Sequence, residues 1–324
     1  MRGTYRIIIQ NKRVRYDFVI RRNLTVIRGD SATGKTTLIE MVREYYENGA
    51  ESGIKLNCER QCAVLSGNKW EQNLAFLKES IVFIDEGNKF VLTDEFASLI
   101  QRTDNYYVIV TRDGIPSLPY SIEEIYGIQS SGKYGTLRQT YHEFYHLYPA
   151  ENLTGEVLPN IVIVEDSNSG YQFFRNALGN TEIECISAGG KSNIFLKVVE
   201  RLETLSYSQI LVIADGAAFG AEMEKMIRLI KEHREINLYL PESFEWLILS
   251  SSVLERNELA EILANPADHI ESQKYFSWEQ FFTFLLTDRT KGTYLKYSKK
   301  KLNISYLNKK VKEKILKTIE GIKF

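Results

Sequence analysis

The chain alternates between short, wholly apolar runs and longer stretches with helical spacing. Residues Tyr5–Gln10 and 15–20 flank Asn11-Lys12 and predict a β-hairpin. A short apolar strand is expected at 24–28. A helix is expected over 36–46, with Leu38, Ile39, Val42 and Tyr45 on one side. Strands follow at 62–65, Ile81–Ile84 and Tyr106–Val110, with helices at 70–77 and Asp94–Ile100 between them. Apolar strands separated by helices imply a parallel sheet covered on both faces.

A softer stretch at 149–159 precedes a second βαβ series. Strands are expected at Ile161–Val164, 182–187, 210–214 and 236–240. Helices are expected at 172–178, 195–205 and 221–231. From Trp246 onward the pattern is helical, and no repeat of fixed period is present.

Composition narrows the class. The 324 residues are 44% hydrophobic and 26% charged, with only 20 Gly and 6 Pro, which excludes fibrous and disordered chains. No run approaches the ~18 apolar residues of a membrane span. The first ten residues lack the apolar core of a signal peptide. Three cysteines cannot build a disulfide framework, so a reducing cytoplasm is expected. The formal charge is −1, but residues 288–324 hold twelve Lys and Arg against three Asp and Glu. That basic end is a candidate nucleic-acid contact or a solvated helical face.

Gly29-Asp30-Ser31-Ala32-Thr33-Gly34-Lys35-Thr36 fits G-x-x-x-x-G-K-[ST] between an expected strand and an expected helix. Such a loop wraps backbone N–H groups around phosphates at a helix N-terminus. Lys35 reaches the β- and γ-phosphates in this scheme, the Thr36 hydroxyl holds Mg²⁺, and Thr37 lies beside it. The strand Ile81–Ile84 runs into Asp85 and Glu86, a metal-holding acid followed by a candidate general base. The next strand ends in Thr111-Arg112. Thr111 is placed to sense a γ-phosphate; no arginine finger is assigned, and Arg112 is one candidate.

On these motifs residues 1–150 resemble the additional-strand, catalytic-glutamate division of P-loop NTPases, which contains AAA+ and ABC-type ATPases. The resemblance implies ATP and Mg²⁺ as cofactors, and no N-K-x-D guanine-reading motif follows a strand. Leu65-Ser66-Gly67-Asn68 is similar to an ABC signature. Only 29 residues separate it from Lys35, too few for the intervening helical subdomain, so it is read as a strand end.

In the second half, strands end in Glu165-Asp166 and in Asp215. Strand C-termini of a parallel sheet gather on one edge, so Glu165 and Asp215 are candidate Mg²⁺ ligands, with Gly189-Gly190-Lys191-Ser192-Asn193 nearby. This pattern over 158–246 resembles a Toprim domain, with Glu165 at the glutamate position and Asp215 at the first position of Asp-x-Asp. Ala217 occupies the second Asp position, and Asp166, Glu242 and Glu245 are the acids that could compensate. An ATPase joined to a Toprim domain is similar to the OLD-type arrangement of phage-defence and mobile-element proteins.

Other motifs are given plain readings. His142-Glu143-Phe144-Tyr145-His146 fits H-E-x-x-H, but its aromatic neighbours suit a strand or packing helix better than a zinc site. Cys58 and Cys62 are read as ordinary thiols, and Trp246 and Trp278 as core. Tyr294, Tyr297 and Tyr306, interleaved with lysines, could stack bases. Val311, Ile315 and Ile319 instead suit the inner face of an amphipathic helix.

The expected fold class is α/β. A parallel-sheet P-loop NTPase domain spans 1–150. A Rossmann-like, Toprim-like domain spans 151–250, and a helical, Lys-rich extension 251–324. The expected function is ATP binding and hydrolysis coupled to a nucleic-acid-directed second domain, a Mg²⁺-dependent nuclease. The alternative is an ATP-driven switch or assembly protein whose second domain is catalytically inactive. Nucleic acid, a partner protein and a second copy of the chain are the expected partners, with no membrane.

Overall fold

The computed structural model describes residues 1–29, 33–131, 139–148, 156–179, 181–204, 208–255 and 257–323. The chain divides into two compact units, Met1–Pro149 with Asn265–Ser277, and Ala150–Ala264 with Trp278–Phe324. No helix among the described residues is long and apolar enough to cross a membrane.

The first unit holds β1 (Tyr5–Gln10), β2 (Val14–Ile20), β3 (Leu24–Ile27), α1 (Lys35–Asn48), β4 (Lys55–Asn57) and β5 (Cys62–Val64). These are followed by α2 (Trp70–Leu74), β6 (Ile81–Ile84), α3 (Asp94–Ile100), β7 (Tyr106–Val110), β8 (Ile125–Ser131) and β9 (Thr140–His146). Its sheet runs β4-β1-β2-β9-β8-β3-β7-β6-β5. The sheet is mixed rather than wholly parallel. β8-β3-β7-β6-β5 are parallel neighbours, whereas β1 is antiparallel to β2 and β4, and β8 to β9.

The β8–β9 hairpin escapes the hydrophobic pattern because it is built around a glycine. Gly127 lies opposite Tyr145. A Cβ on Gly127 would sit 2.3 Å from the Tyr145 ring, so the ring takes the space a side chain would fill.

Strands β3, β6 and β7 are buried at every position, as strands covered on both faces must be. Alternation sends Phe83, Tyr106 and Val108 into a core with Leu38, Ile39, Met41 and Val42 of α1. Tyr107 points to the opposite face, where it meets Phe96 of α3 edge-on at 6.2 Å. Phe96 in turn packs with Trp70 and Phe90. Thr93 caps α3 by accepting from the Phe96 N–H.

The second unit holds β10 (Ile161–Val164), α4 (Ser169–Ala177), β11 (Glu184–Ser187), α5 (Lys191–Thr204), β12 (Ile210–Ile213), α6 (Met223–Glu232) and β13 (Ile236–Tyr239). Helices α7 (Phe244–Ser250), α8 (Asn257–Ala264), α9 (Trp278–Thr290) and α10 (Lys309–Leu316) follow. The sheet is wholly parallel in the order β11-β10-β12-β13. β10 and β12 are buried at every position.

Beyond α9 the described residues of the basic end hold a 3-10 helix at Ile304–Leu307 and α10. Of the three positions of the amphipathic reading, Ile315 and Ile319 are buried and Val311 is half-buried. Tyr297 and Tyr306 are buried too, so they are packing residues and not base-stacking platforms; Tyr294 alone of the three is exposed. Trp278 is buried and Trp246 half-buried.

Candidate functional site

The parallel strands of the first unit bring their carboxyl ends to one edge. The chain leaves β3 through α1, reaches the far edge at β5, and returns through β6 and β7 to lie beside β3. It then crosses to the other side of β3 as β8. Ligands of open α/β sheets gather at such reversals, outside the strand C-termini.

Three candidate residues, Asp85, Glu86 and Thr111, sit on this edge beside the loop. Ile27 pairs with Val110 and Ile84 with Ile109, so β7 lies between the strand that leads into the glycine-rich loop and the strand that ends at Asp85 and Glu86. The Thr111 N–H donates to Ile27 O at 3.1 Å, which places Thr111 beside the loop entrance.

The loop itself is described at Gly29 and from Thr33 onward. Asp30, Ser31 and Ala32 lie outside the described residues. Gly29 and Gly34 both hold positive φ, 123° and 96°. At Gly34 the space is closed as well. A Cβ there would lie 2.7 Å from the Tyr16 hydroxyl and 3.2 Å from His142 Cε1. Lys35 is buried at 6% exposure, and its ammonium donates to Gly29 O at 2.8 Å and to Thr33 Oγ1 at 3.0 Å. The cation is thus folded over the loop it follows. Thr36 and Thr37 are exposed at the start of α1.

Tyr16 and His142 back the loop. They are register partners on β2 and β9, and their rings stack at 4.7 Å and 11°. The Tyr16 hydroxyl donates to Gly34 O at 2.8 Å, and burial pushes that phenol up to about 12. His142 is 9% exposed, and its Nδ1 has no hydrogen-bond partner among the described residues. Burial holds its pKa below the usual imidazole value, which keeps the ring neutral. The H-E-x-x-H segment is therefore a β-strand. His142 and His146 are four strand positions apart, about 13 Å at ~3.3 Å per residue, too far to share an ion.

At the end of β6, Asp85 Oδ1 accepts from the Glu86 N–H at 2.9 Å. The Glu86 carboxylate is gripped by Arg112 through two hydrogen bonds, Nε to Oε2 at 3.2 Å and Nη2 to Oε1 at 3.0 Å. Glu86 raises the pKa of that exposed guanidinium further. Thr111 Oγ1 donates to Asp113 O at 2.9 Å. The Glu86–Arg112 pair leaves no signal in the sequence, because it joins two strand ends across β6 and β7.

The acids of the second unit also meet at a strand edge. The Asp215 N–H donates to Glu165 Oε2 at 2.9 Å, and Asp215 Oδ1 accepts from the Phe244 N–H at 3.2 Å. The Gly190 N–H donates to Glu165 O at 2.8 Å, so the glycine turn does lie at this edge. Burial pushes Glu165 up to about 7. Burial also raises Asp215 well above the carboxylate range, and the charges of Glu279, Glu165 and Glu245 add to it. Lys299 pairs with Glu279; burial opposes its charge, but Glu279, Glu245 and Asp215 outweigh burial and keep it protonated. Tyr297 donates to Glu245 Oε1 at 2.8 Å.

Asp166 does not join this group. Its carboxylate accepts from the Gly170 and Tyr171 N–H groups and so caps the start of α4. Glu279 and Lys299 were not legible as part of the cluster. Glu279 reads as a helix surface position, and Lys299 as one of many lysines in the basic end.

Among the described residues no group of three or more His, Cys, Asp and Glu side chains is arranged to hold a metal ion. Glu165 and Asp215 each spend an oxygen on a backbone amide, so as placed they form no cage. The first-unit edge needs fewer protein ligands, because Mg²⁺ at phosphates keeps several waters and takes one or two side chains. Thr36 and Asp85 are the residues of that edge that could serve as such ligands. No family model matches the chain, and no curated protein matches it.

Proposed function

We propose that the first unit binds and hydrolyses ATP. The observation that carries this is Lys35. A buried ammonium lies folded over a glycine-rich loop at the carboxyl edge of a parallel sheet, in which an additional strand separates the loop strand from the Asp85-Glu86 strand. This order supports kinship with the additional-strand, catalytic-glutamate P-loop NTPases.

In this reading Lys35 exchanges Gly29 O and Thr33 Oγ1 for the phosphate oxygens of the nucleotide. The loop N–H groups and the N-terminus of α1 face the same anion. Thr36 and Asp85 hold Mg²⁺, which neutralises charge on the phosphates. Glu86 takes the proton of the attacking water. It must first leave Arg112, so the free enzyme holds its base in an ion pair. Thr111, beside the loop entrance, is the polar group nearest a γ-phosphate. Equilibrium titration with ATP and Mg²⁺ tests the binding step. Wild type binds, and Lys35→Ala binds at least a hundredfold more weakly; equal affinity in that variant rejects the assignment.

For the second unit we favour a nucleic-acid-directed effector built on the Toprim-like acids, whose activity follows the nucleotide state of the first unit. Burial raises Glu165 and Asp215, the charges of Glu279 and Glu245 add to the effect on Asp215, and Lys299 lies among these acids; such a cluster attracts cations. Against catalysis stand Ala217 and the two amide-capped carboxylates. The switch reading, with a catalytically inactive second unit, rests on those. Cleavage of labelled DNA and RNA in Mg²⁺ or Mn²⁺ separates the two: loss of cleavage in Asp215→Asn supports the nuclease, and absence of cleavage in wild type supports the switch.

A further inference from the structure

Cys58 and Cys62 occupy an unusual place in the topology. β4 and β5 are the two opposite edges of the nine-stranded sheet, yet only residues 58–61 separate them in the chain. The sheet is therefore rolled until its edges nearly meet. Cys58 immediately follows one edge strand, and Cys62 is the first residue of the other.

Both sides of this junction are pinned. Asn57 pairs with Ile8 on β1, and Cys62 pairs with Ile81 on β6. The Ile81 N–H donates to Gln61 O at 2.8 Å. Arg60 is tied outward by Glu79 at 3.0 Å and lies 5.7 Å from the centre of the Tyr5 ring. Between these anchors the Cys62 thiol donates to Arg60 O at 3.8 Å, inside the short link that carries Cys58, and the two thiols interact. Cys62 is buried, Cys58 is half-exposed, and Cys58 packs against the core that contains Cys62.

We propose that Cys58 and Cys62 form a reversible, peroxide-sensitive dithiol that closes to a disulfide and staples the two edges of the sheet. The Cys58 thiolate attacks hydrogen peroxide. A sulfur–oxygen bond forms, the peroxide bond breaks, and hydroxide leaves, so the sulfur is oxidised by two electrons and the peroxide reduced. The Cys62 sulfur then displaces the sulfenic oxygen. The sulfur–sulfur bond forms, and the Cys62 proton leaves with that oxygen as water. Two thiols and one peroxide give one disulfide and two waters. A dithiol reductant reverses it.

The two thiols suit these roles. The interaction with the Cys62 thiol lowers the Cys58 thiol below its ordinary value, which favours its thiolate. Cys62 shifts strongly the other way, through the same interaction and its burial, and stays protonated until the second step. Cys185 is the internal control. Burial pushes it up to about 11, and it belongs to the other unit.

The test uses the intact chain, treated with hydrogen peroxide and then alkylated without reductant. Titratable thiols fall from three to one. Trypsin cuts after Arg60, yet the Cys58 and Cys62 peptides remain joined until a dithiol is added. In Cys62→Ala the reaction stops at a Cys58 sulfenic acid, trapped by a dimedone reagent. In Cys58→Ser no disulfide forms, and peroxide consumption slows at least tenfold at pH 7. Three thiols surviving in wild type, separate tryptic peptides, or a disulfide through Cys185 would each overturn the proposal.

Discussion

Arg112 and Glu86 form the contact on which the proposed chemistry turns. A base held by two hydrogen bonds to a guanidinium is poorly placed to take a proton from water. Replacing Arg112 with Met frees it. Basal ATP turnover should rise severalfold with nucleotide affinity unchanged, as measured by phosphate release and equilibrium titration. A fall in turnover would make Arg112 a participant in the reaction instead. His142 offers a pH test at the same scale. Its folded pKa is depressed by burial, so below about pH 6.5 the unfolded chain takes up the proton first. Stability is then lost as pH falls, by at most about 1.4 kcal/mol per pH unit from this one group. His142→Phe keeps a ring against Tyr16 and should flatten the acid side of the urea-unfolding profile. An unchanged difference between pH 5 and pH 7 would show that His142 titrates normally.

The strands were the most legible elements. Ile81–Ile84, Tyr106–Val110 and Ile161–Val164 are continuous β-branched and aromatic runs, and the structure has strands over those same residues. β4 and β8 were not legible. β4 is three residues, exposed at both ends, and β8 carries Gly127 and a polar end. A glycine in a strand normally reads as a breaker, and here its reason is a ring from the partner strand. Gly127→Ala should therefore cost about 1–3 kcal/mol through overpacking against Tyr145. The same substitution in a Tyr145→Ala background should cost much less, and denaturant unfolding of the four proteins of that cycle measures the coupling. Equal costs in both backgrounds would mean the ring does not fill the glycine's space. The acid edge of the second unit was half legible. Strand ends announced Glu165 and Asp215, but the helix and tail residues Glu279 and Lys299 come from distant segments that only the tertiary fold brings together. Lys299→Met should destabilise the chain by about 1 kcal/mol, because Lys299 is partly exposed and Lys191 remains beside Glu165, and denaturant unfolding measures it.

At the scale of the whole molecule, charge and topology say different things. The net charge of −1 gives no attraction for nucleic acid, whereas the basic end presents Lys291, Lys296, Lys300 and Lys301 exposed beside the exposed Tyr294. If that face meets a phosphate backbone, changing Lys296, Lys300 and Lys301 to Glu should weaken nucleic-acid binding at least tenfold and flatten its salt dependence. The fold rests on a rolled sheet in which β3, β6 and β7 bring their carboxyl ends to one edge, and the parallel pair β2 and β9, through Tyr16 and His142, braces the glycine-rich loop there. Hydrophobic patterning showed the parallel half because its strands are buried on both faces. Alternation also showed the β1–β2 hairpin, but it hid β4, which is short and exposed, and β8, which a glycine interrupts.

Phosphate release from ATP and Mg²⁺, with wild type and Glu86→Gln compared side by side and Asp215→Asn alongside, bears most directly on the proposal that the first unit is an ATPase. Wild type and Asp215→Asn should turn over, and Glu86→Gln should bind ATP with near-normal affinity yet lose about 10²–10⁴-fold in rate. Equal turnover in wild type and Glu86→Gln, or no turnover in any of them despite tight binding, would contradict it.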